Sequence, residues 1–351
     1  GTTHDGKSYL DYDEEEIRRR FTLGTSIAPI PYGDDYKINL LDTSGQADFL
    51  GDTLATMQVC EMCMFVVDAV AGPQNMTTRL WHEAEVMRTS RCVFINHIDR
   101  EGANFDVAMA QLHARFGSRL GAVTIPIGVD KDFKGVIDIL RMKARYFIDG
   151  GEKIEDIPDE YADAAQIARD KLCDLVAEAD DELMMKVLDG EEPTIEEVKA
   201  AIRKGVMTSE FFPVMCGSAY KNKGVQLLLD AVVDYLPAPT DIEAIKGTLE
   251  DGTPSERHPS DDEPFSALAF KVATDPFVGR LTYFRVYSGV AKAGSYILNA
   301  SKEKRERFGR LVRMHANHRA DIEEVYAGDI AGAVGLKNTT TGDTLCDEEH
   351  P

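Results

Sequence analysis

Cys92-Val-Phe-Ile-Asn-His-Ile-Asp99 joins a short apolar run to the polar motif Asn96-x-x-Asp99. Three other runs end in a similar way. Ile38–Leu41 stops at Asp42-Thr-Ser-Gly45, Met64–Val67 at the Asp68–Gly72 turn, and Phe212–Cys216 at Gly217-Ser-Ala219. In open α/β sheets ligands gather at the carboxyl ends of parallel strands, so chemistry is expected where these runs stop. An aspartate carboxylate can accept two hydrogen bonds from the N1–H and exocyclic amine of guanine, and adenine lacks that donor pair. Sites built on paired hydrogen bonds reject analogues that lack them by large factors. Asp99 is therefore the candidate reader of a guanine base, with Asn96 bracing the loop and Ser218 and Ala219 backing the base.

The surrounding pattern supports a parallel sheet. Phe49, Leu50, Leu54 and Met57 recur at near-helical spacing, as do Met76, Leu80, Ala84 and Met87, and then Phe105, Ala108, Leu112 and Phe116. Strands alternating with amphipathic helices imply βαβ units over residues 36–117. Pro73 suits the first turn of the second helix. From about 118 to 210 the pattern changes. Val123–Ile127 and Gly135–Phe147 alternate like strands, and the acidic stretch Glu152–Glu197 reads as helices. The sheet motif then returns with Phe212–Cys216 and the helix Gly224–Leu236, so the intervening block is expected to be an inserted α+β subdomain. The nucleotide-binding domain is thus placed at 1–240 and a linker at 241–262. Short runs punctuated by glycine over 263–351 suggest a small antiparallel β-barrel.

Phosphate and metal chemistry is expected around Asp42. Its carboxylate would act through water on a Mg²⁺ ion bridging the phosphates, and the Gly45 amide would approach the γ-phosphate. Gln46 follows at once and can orient the attacking water, while Thr22 can offer a hydroxyl to Mg²⁺ or be a plain loop threonine. Gly1-Thr-Thr-His-Asp-Gly6-Lys7-Ser8 matches the phosphate-loop spacing G-x-x-x-x-G-K-[ST]. Such a loop should follow a strand and open a helix, and neither is read here, so Gly1, Gly6, Lys7 and Ser8 are taken as a decoy.

The bulk numbers narrow the class. The chain has 351 residues, 43% hydrophobic content and a net charge of −22, which suits a soluble protein of two or three domains and argues against indiscriminate nucleic-acid affinity. Lys302–Arg313 is a local exception with six basic and two acidic residues, readable as a solvated strand pair or an RNA-facing edge. No apolar run reaches membrane-span length. Cys60-Glu-Met-Cys63 has no second ligand pair, and Cys63 opens a buried strand, so the cysteines point to packing in a reducing cytosol.

Longer stretches carry a resemblance. Asp99-Arg-Glu-Gly-Ala-Asn-Phe105, Cys216-Gly-Ser-Ala-Tyr-Lys-Asn-Lys-Gly224 with Leu236-Pro-Ala-Pro239, and Asp261–Phe277 resemble translational GTPases of the elongation factor G type. The resemblance implies a P-loop-GTPase-type, mostly parallel sheet with an inserted subdomain, then a translation-factor β-barrel. It further implies GTP or GDP with Mg²⁺ as ligands, GTP hydrolysis, and the ribosome (rRNA and ribosomal proteins) as partner, in the cytoplasm. Neither DNA nor a membrane is expected as partner, and the chain is expected to be a monomer. On that alignment the family's phosphate loop would precede Gly1 and further domains would follow Pro351, making the chain a fragment that binds nucleotide poorly. Several positions depart from the family pattern. Ser44 and Gln46 replace a proline and a histidine, His97 replaces the lysine of Asn-Lys-x-Asp and could stack on the base, and Arg20 replaces a glycine. A non-hydrolysing, ribosome-binding paralogue is the rival reading, and a compact GTPase using Gly1–Ser8 is a third.

Overall fold

The computed structural model describes residues 6, 8–148, 151–249, 251–275 and 278–351. Two compact units emerge, one formed by Gly1–Cys60 with Ala238–Pro351 and the other by Glu61–Pro237.

The first unit opens with a short helix, α1 (Glu14–Arg19), started by a capping box between Asp13 and Glu16. Strands β1 (Ser26–Tyr32) and β2 (Tyr36–Asp42) form a two-stranded antiparallel hairpin, and α2 (Leu50–Met57) follows. The run Ile38–Leu41 therefore lies outside the parallel sheet, contrary to expectation. A short apolar run marks a strand but does not name its partner, and here β1 pairs with the whole length of β2.

In the second unit β3 (Met62–Asp68), α3 (Asn75–Val86), β4 (Ser90–Asn96), α4 (Phe105–Phe116) and β5 (Leu120–Ala122) alternate as expected. Next come an antiparallel sheet of β6 (Thr124–Ile127), β7 (Gly135–Asp138), β8 (Lys143–Ile148) and β9 (Gly151–Glu155), and the helices α5 (Asp159–Ala177), α6 (Asp181–Leu188) and α7 (Ile195–Thr208). The unit closes with β10 (Phe212–Cys216) and α8 (Val225–Tyr235). The parallel sheet has the order β3-β4-β10-β5. Two expectations are corrected here. Residues 152–155 belong to β9 rather than to a helix, and Pro73 precedes the Gln74 cap of α3 instead of occupying its first turn.

Period-two alternation sends β4 side chains to two faces. Cys92 and Phe94 join Met215 in a core with α5, α7 and α8. On the other side Trp81 of α3 is caged by Phe65, Phe116 and Phe212, with ring centroids 4.4–5.1 Å away. The inserted sheet shares the first core through Ile127, Ile137 and Ala144.

The chain then returns to the first unit with a small hairpin, β11 (Ile245–Thr248) and β12 (Pro254–Arg257). Ten further strands follow: β13 (Ser266–Asp275), β14 (Gly279–Ser288), β15 (Ala291–Lys292), β16 (Tyr296–Asn299), β17 (Lys304–Arg307), β18 (Arg310–His315), β19 (His318–Ile322), β20 (Glu324–Val325), β21 (Ile330–Val334) and β22 (Thr344–Cys346). Eight of these make one antiparallel sheet, β17-β16-β22-β13-β14-β21-β18-β19, which bears out the expected β-rich domain. Phe284, Val286, Ala331 and Ala333 face one core; Leu281, Tyr283 and Ile330 face a second core completed by Ile27 and Val59. That second core explains why residues 8–60 pack with this sheet. The basic stretch Lys302–Arg313 is not a strand pair, because β17 bonds to β16 while β18 bonds to β19 and β21.

An ionic cluster ties the inserted sheet to α8. Asp138, with its side chain 3% exposed, pairs with Arg141 at 2.9 Å and Arg145 at 3.2 Å, and Arg141 reaches Asp234 at 3.7 Å. Removing one member of a buried pair strands the other charge, so Asp138→Ala should destabilise the protein by about 3–5 kcal/mol. The check is a denaturant titration, in which the midpoint should fall while the slope stays constant.

Candidate nucleotide site

The residues expected to read a guanine base lie where the parallel strands end. Asp68 and Asn96 are register partners at the ends of β3 and β4, and Cys216 at the end of β10 pairs with Ile95. Asn96 Oδ1 accepts from Ala219 N at 2.9 Å, which ties the Asn96–Asp99 loop to the loop after β10. Ile98 N donates to Gly217 O at 3.2 Å, and Asp130 N donates to Ile98 O at 2.8 Å. Ser218 is fully buried and accepts from Lys221 N through its hydroxyl. Gly217 is required by crowding, because a Cβ there would lie 2.2 Å from Lys223 O.

Asp99 is held in the turn between these anchors. Its Oδ1 is buried and has no hydrogen-bond partner within the protein. A buried acceptor without a donor costs about 1–3 kcal/mol, so a ligand that brings N–H donors is favoured there. Guanine fits this requirement through its N1–H and exocyclic amine.

His97, expected to be able to stack on the base, is held by a neighbouring carboxylate. Its backbone is left-handed, φ +65°, which costs a non-glycine residue roughly 1–2 kcal/mol. The ring Nδ1 lies 2.7 Å from Asp68 Oδ2. A hydrogen bond to a charged group contributes about 1.5–3 kcal/mol, enough to offset the backbone strain. Burial pushes the Asp68 carboxyl up, but bonds from Ala71 N, His97 and Val70 N outweigh it and leave the group below the usual range. Asp68 is thus ionised and His97 donates from Nδ1.

The phosphate and metal candidates belong to the other unit. Asp42 ends β2. Its carboxyl is pushed up to about 6, first by burial and then by the nearby Asp11 and Glu16 carboxylates. Thr22 donates its hydroxyl to Asp11 at 2.7 Å. Among the described residues no group of three or more His, Cys, Asp or Glu side chains can hold a metal. Mg²⁺ ordinarily takes one or two carboxylates and completes its shell with water and phosphate oxygens, so the expected pair of Asp42 and Thr22 would need no such group. Gly45 and Gln46 are exposed, and a Cβ at Gly45 would meet nothing within 4 Å. Ser44 accepts from Gln46 N at 3.2 Å, so the serine shapes the turn that presents the glutamine.

The segment around Thr22 is pinned from several sides. Glu16 accepts from Leu23 N and Gly24 N; Asp52 accepts from Thr25 N and its hydroxyl; Lys271 of β13 donates to Thr25 O at 2.8 Å. Arg20 caps α1 with φ +63°, a conformation open to glycine without strain. Of the phosphate-loop match, Gly1 and Lys7 lie outside the described residues. Gly6 turns with φ +63°, and Ser8 is followed by bends rather than a helix, since α1 starts only at Glu14. Cys63 is pushed up to about 11 by burial, in keeping with a packing role. No helix among the described residues is long and apolar enough to cross a membrane.

Sequence reasoning did not pick out Asp68, Asp11 or Lys271. Asp68 was visible only as the first residue of a turn, and the other two lie far along the chain from their partners.

The family model described as elongation factor Tu GTP binding domain matches residues 1–238, and that described as elongation factor G domain 2 matches residues 264–348. A crystal structure of a protein from Thermus thermophilus superposes with a TM-score of 0.86 at 27% identity. The match covers 100% of this chain and 50% of that one, so the chain spans half the length of this solved relative.

The raised Asp42 value sets a pH dependence. The folded state binds this proton more tightly than the unfolded chain, whose aspartates titrate at ~4, so stability falls as pH rises from there to about 6. Asp42→Asn should remove that part of the decline. Urea unfolding of both proteins at several pH values across this window provides the comparison.

Proposed function

This chain belongs to the elongation factor family of translational GTPases, and on that premise we propose that it reads guanine through Asp99 and supports GTP hydrolysis on the ribosome. The observation that carries the reading is the buried, unpartnered Oδ1 of Asp99 at the carboxyl end of a parallel sheet. Asp99 accepts from the guanine N1–H and amine. Asn96 holds the two loops together, and Ser218 and Ala219 support the base from the loop after β10. His97 is bound to Asp68 and helps shape the loop.

In the other unit Thr22 and Asp42 are the partners for Mg²⁺, which when bound would neutralise charge on the phosphates. Thr22 would exchange its bond to Asp11 for that role. Gly45 is exposed, with open space where a side chain would stand, which suits close approach of the terminal phosphate to the backbone. Gln46, presented by the Ser44 turn, orients the attacking water through its side-chain amide. The Lys302–Arg313 edge is a candidate RNA-facing surface, although Lys302, Arg305 and Arg313 already pair with Asp343, Glu348 and Asp329.

Exchanging Asp99 for asparagine replaces one acceptor by a donor, which suits xanthine, whose C2 carries a carbonyl oxygen. Asp99→Asn should weaken GDP on the order of a hundredfold, the worth of two charge-assisted bonds, and favour xanthosine diphosphate. Titration with fluorescent nucleotides in Mg²⁺ measures this, and an unchanged preference would remove Asp99 from the base site. For catalysis the assay is phosphate release with and without ribosomes. Gln46→Ala should lower the stimulated rate by about a hundredfold. Ribosome binding without stimulated release in the unaltered protein would favour a regulatory, non-hydrolysing paralogue.

A further inference from the structure

The Asp68–Gly72 turn is the one strand-end motif for which the proposed mechanism has no use. Asp68 is nevertheless the most heavily bonded carboxylate at the sheet edge. Oδ1 accepts from Val70 N at 2.8 Å and Ala71 N at 3.0 Å. Oδ2 takes His97 Nδ1 at 2.7 Å and Arg100 Nη1 at 3.3 Å. One oxygen therefore holds the side chain's own turn, and the other grips residues 97 and 100, which flank Asp99 on both sides.

The turn itself is firmly set. Gly72 N donates to Asp68 O at 2.8 Å, and the backbone there is left-handed, φ +68°, which favours glycine. Ala69 N donates to Asn96 O and Asn104 N to Ala69 O, at 2.9 and 3.1 Å. A rigid turn after β3 thus carries a carboxylate that brackets the loop after β4. Ile98, between the bracketed residues, is separately tied to Gly217 O and Asp130 N. Asp99 is left as the member of its loop with an open, buried acceptor.

We infer that Asp68 is a positioning residue that, through His97 and Arg100, aims the Asp99 carboxylate at the guanine edge. The inference rests on the guanine reading above. It also accounts for histidine at position 97, whose Nδ1–H can meet Asp68 while the backbone is left-handed.

The test compares GDP, IDP and ADP, which offer Asp99 two donors, one donor and none. With the unaltered chain in Mg²⁺, affinity should fall in that order. Asp68→Ala should weaken GDP by about tenfold, the worth of one charge-assisted hydrogen bond, IDP by less, and leave ADP unchanged. Arg100→Ala removes one arm of the bracket from an exposed side chain and should compress the GDP-to-ADP ratio in the same direction, by about threefold. It serves as the deciding variant should Asp68→Ala fail to fold. Equal losses for all three nucleotides would mean that Asp68 acts only through general stability, and an unchanged GDP preference would likewise overturn the inference while leaving the guanine reading intact. An unaltered chain with no preference for GDP over ADP would sink the guanine reading and the inference together.

Discussion

Parallel pairing of β4 with a neighbour on each side is the constraint on which the base site depends. With β3 and β10 in register, Asp68, Asn96 and Gly217 reach one edge at the same height. Parallel strands buried on both faces must be covered by helices, and here α3 and α4 cover one side while α5, α7 and α8 cover the other. Main-chain bonds between the loops then do locally what packing does in the sheet. The loop proposed to read the base is anchored at Asn96, His97, Ile98 and Arg100, and Asp99 Oδ1 is left without a partner within the protein.

The phosphate and metal candidates answer to another logic. Thr22 and Asp42 flank a hairpin that packs with the β-rich sheet through Ile27, Val59 after α2 joins the same core, and polar ties from Lys271, Arg285 and Asp329 reinforce that packing. Burial raises the Asp42 value first, and repulsion from the Asp11 and Glu16 carboxylates in this neighbourhood raises it further. A cation or a proton relieves such repulsion, which suits a group expected to exchange between metal-bound and metal-free states.

Departures from the family pattern have distinct physical readings. Ser44 supplies a hydroxyl that receives the Gln46 amide. His97 meets Asp68, which a histidine Nδ1 can do at close range. Arg20 occupies a left-handed cap where glycine would be unstrained, and the bond from its own N–H to Glu16 O helps to hold it there. At Ser44 and His97 the changed side chain has found a partner, whereas at Arg20 the bond comes from the backbone.

Much of the fold was legible in the sequence because its signals are local. Apolar runs of strand length, helical spacing in three segments and glycine punctuation of the β-rich part depend on near neighbours, and the Asn96-x-x-Asp99 and Gly217-Ser-Ala219 motifs stand directly at strand ends. Tertiary structure alone decided which strands pair, since a short apolar run such as Ile38–Leu41 fits a hairpin as well as a parallel sheet. It alone revealed the orphaned Oδ1 of Asp99, the pinning of Thr22 and the grip of Asp68 on His97 and Arg100. Those properties arise from groups 7 to 246 residues apart in the chain brought within hydrogen-bonding distance, and burial and distance between such groups are set only when the chain folds.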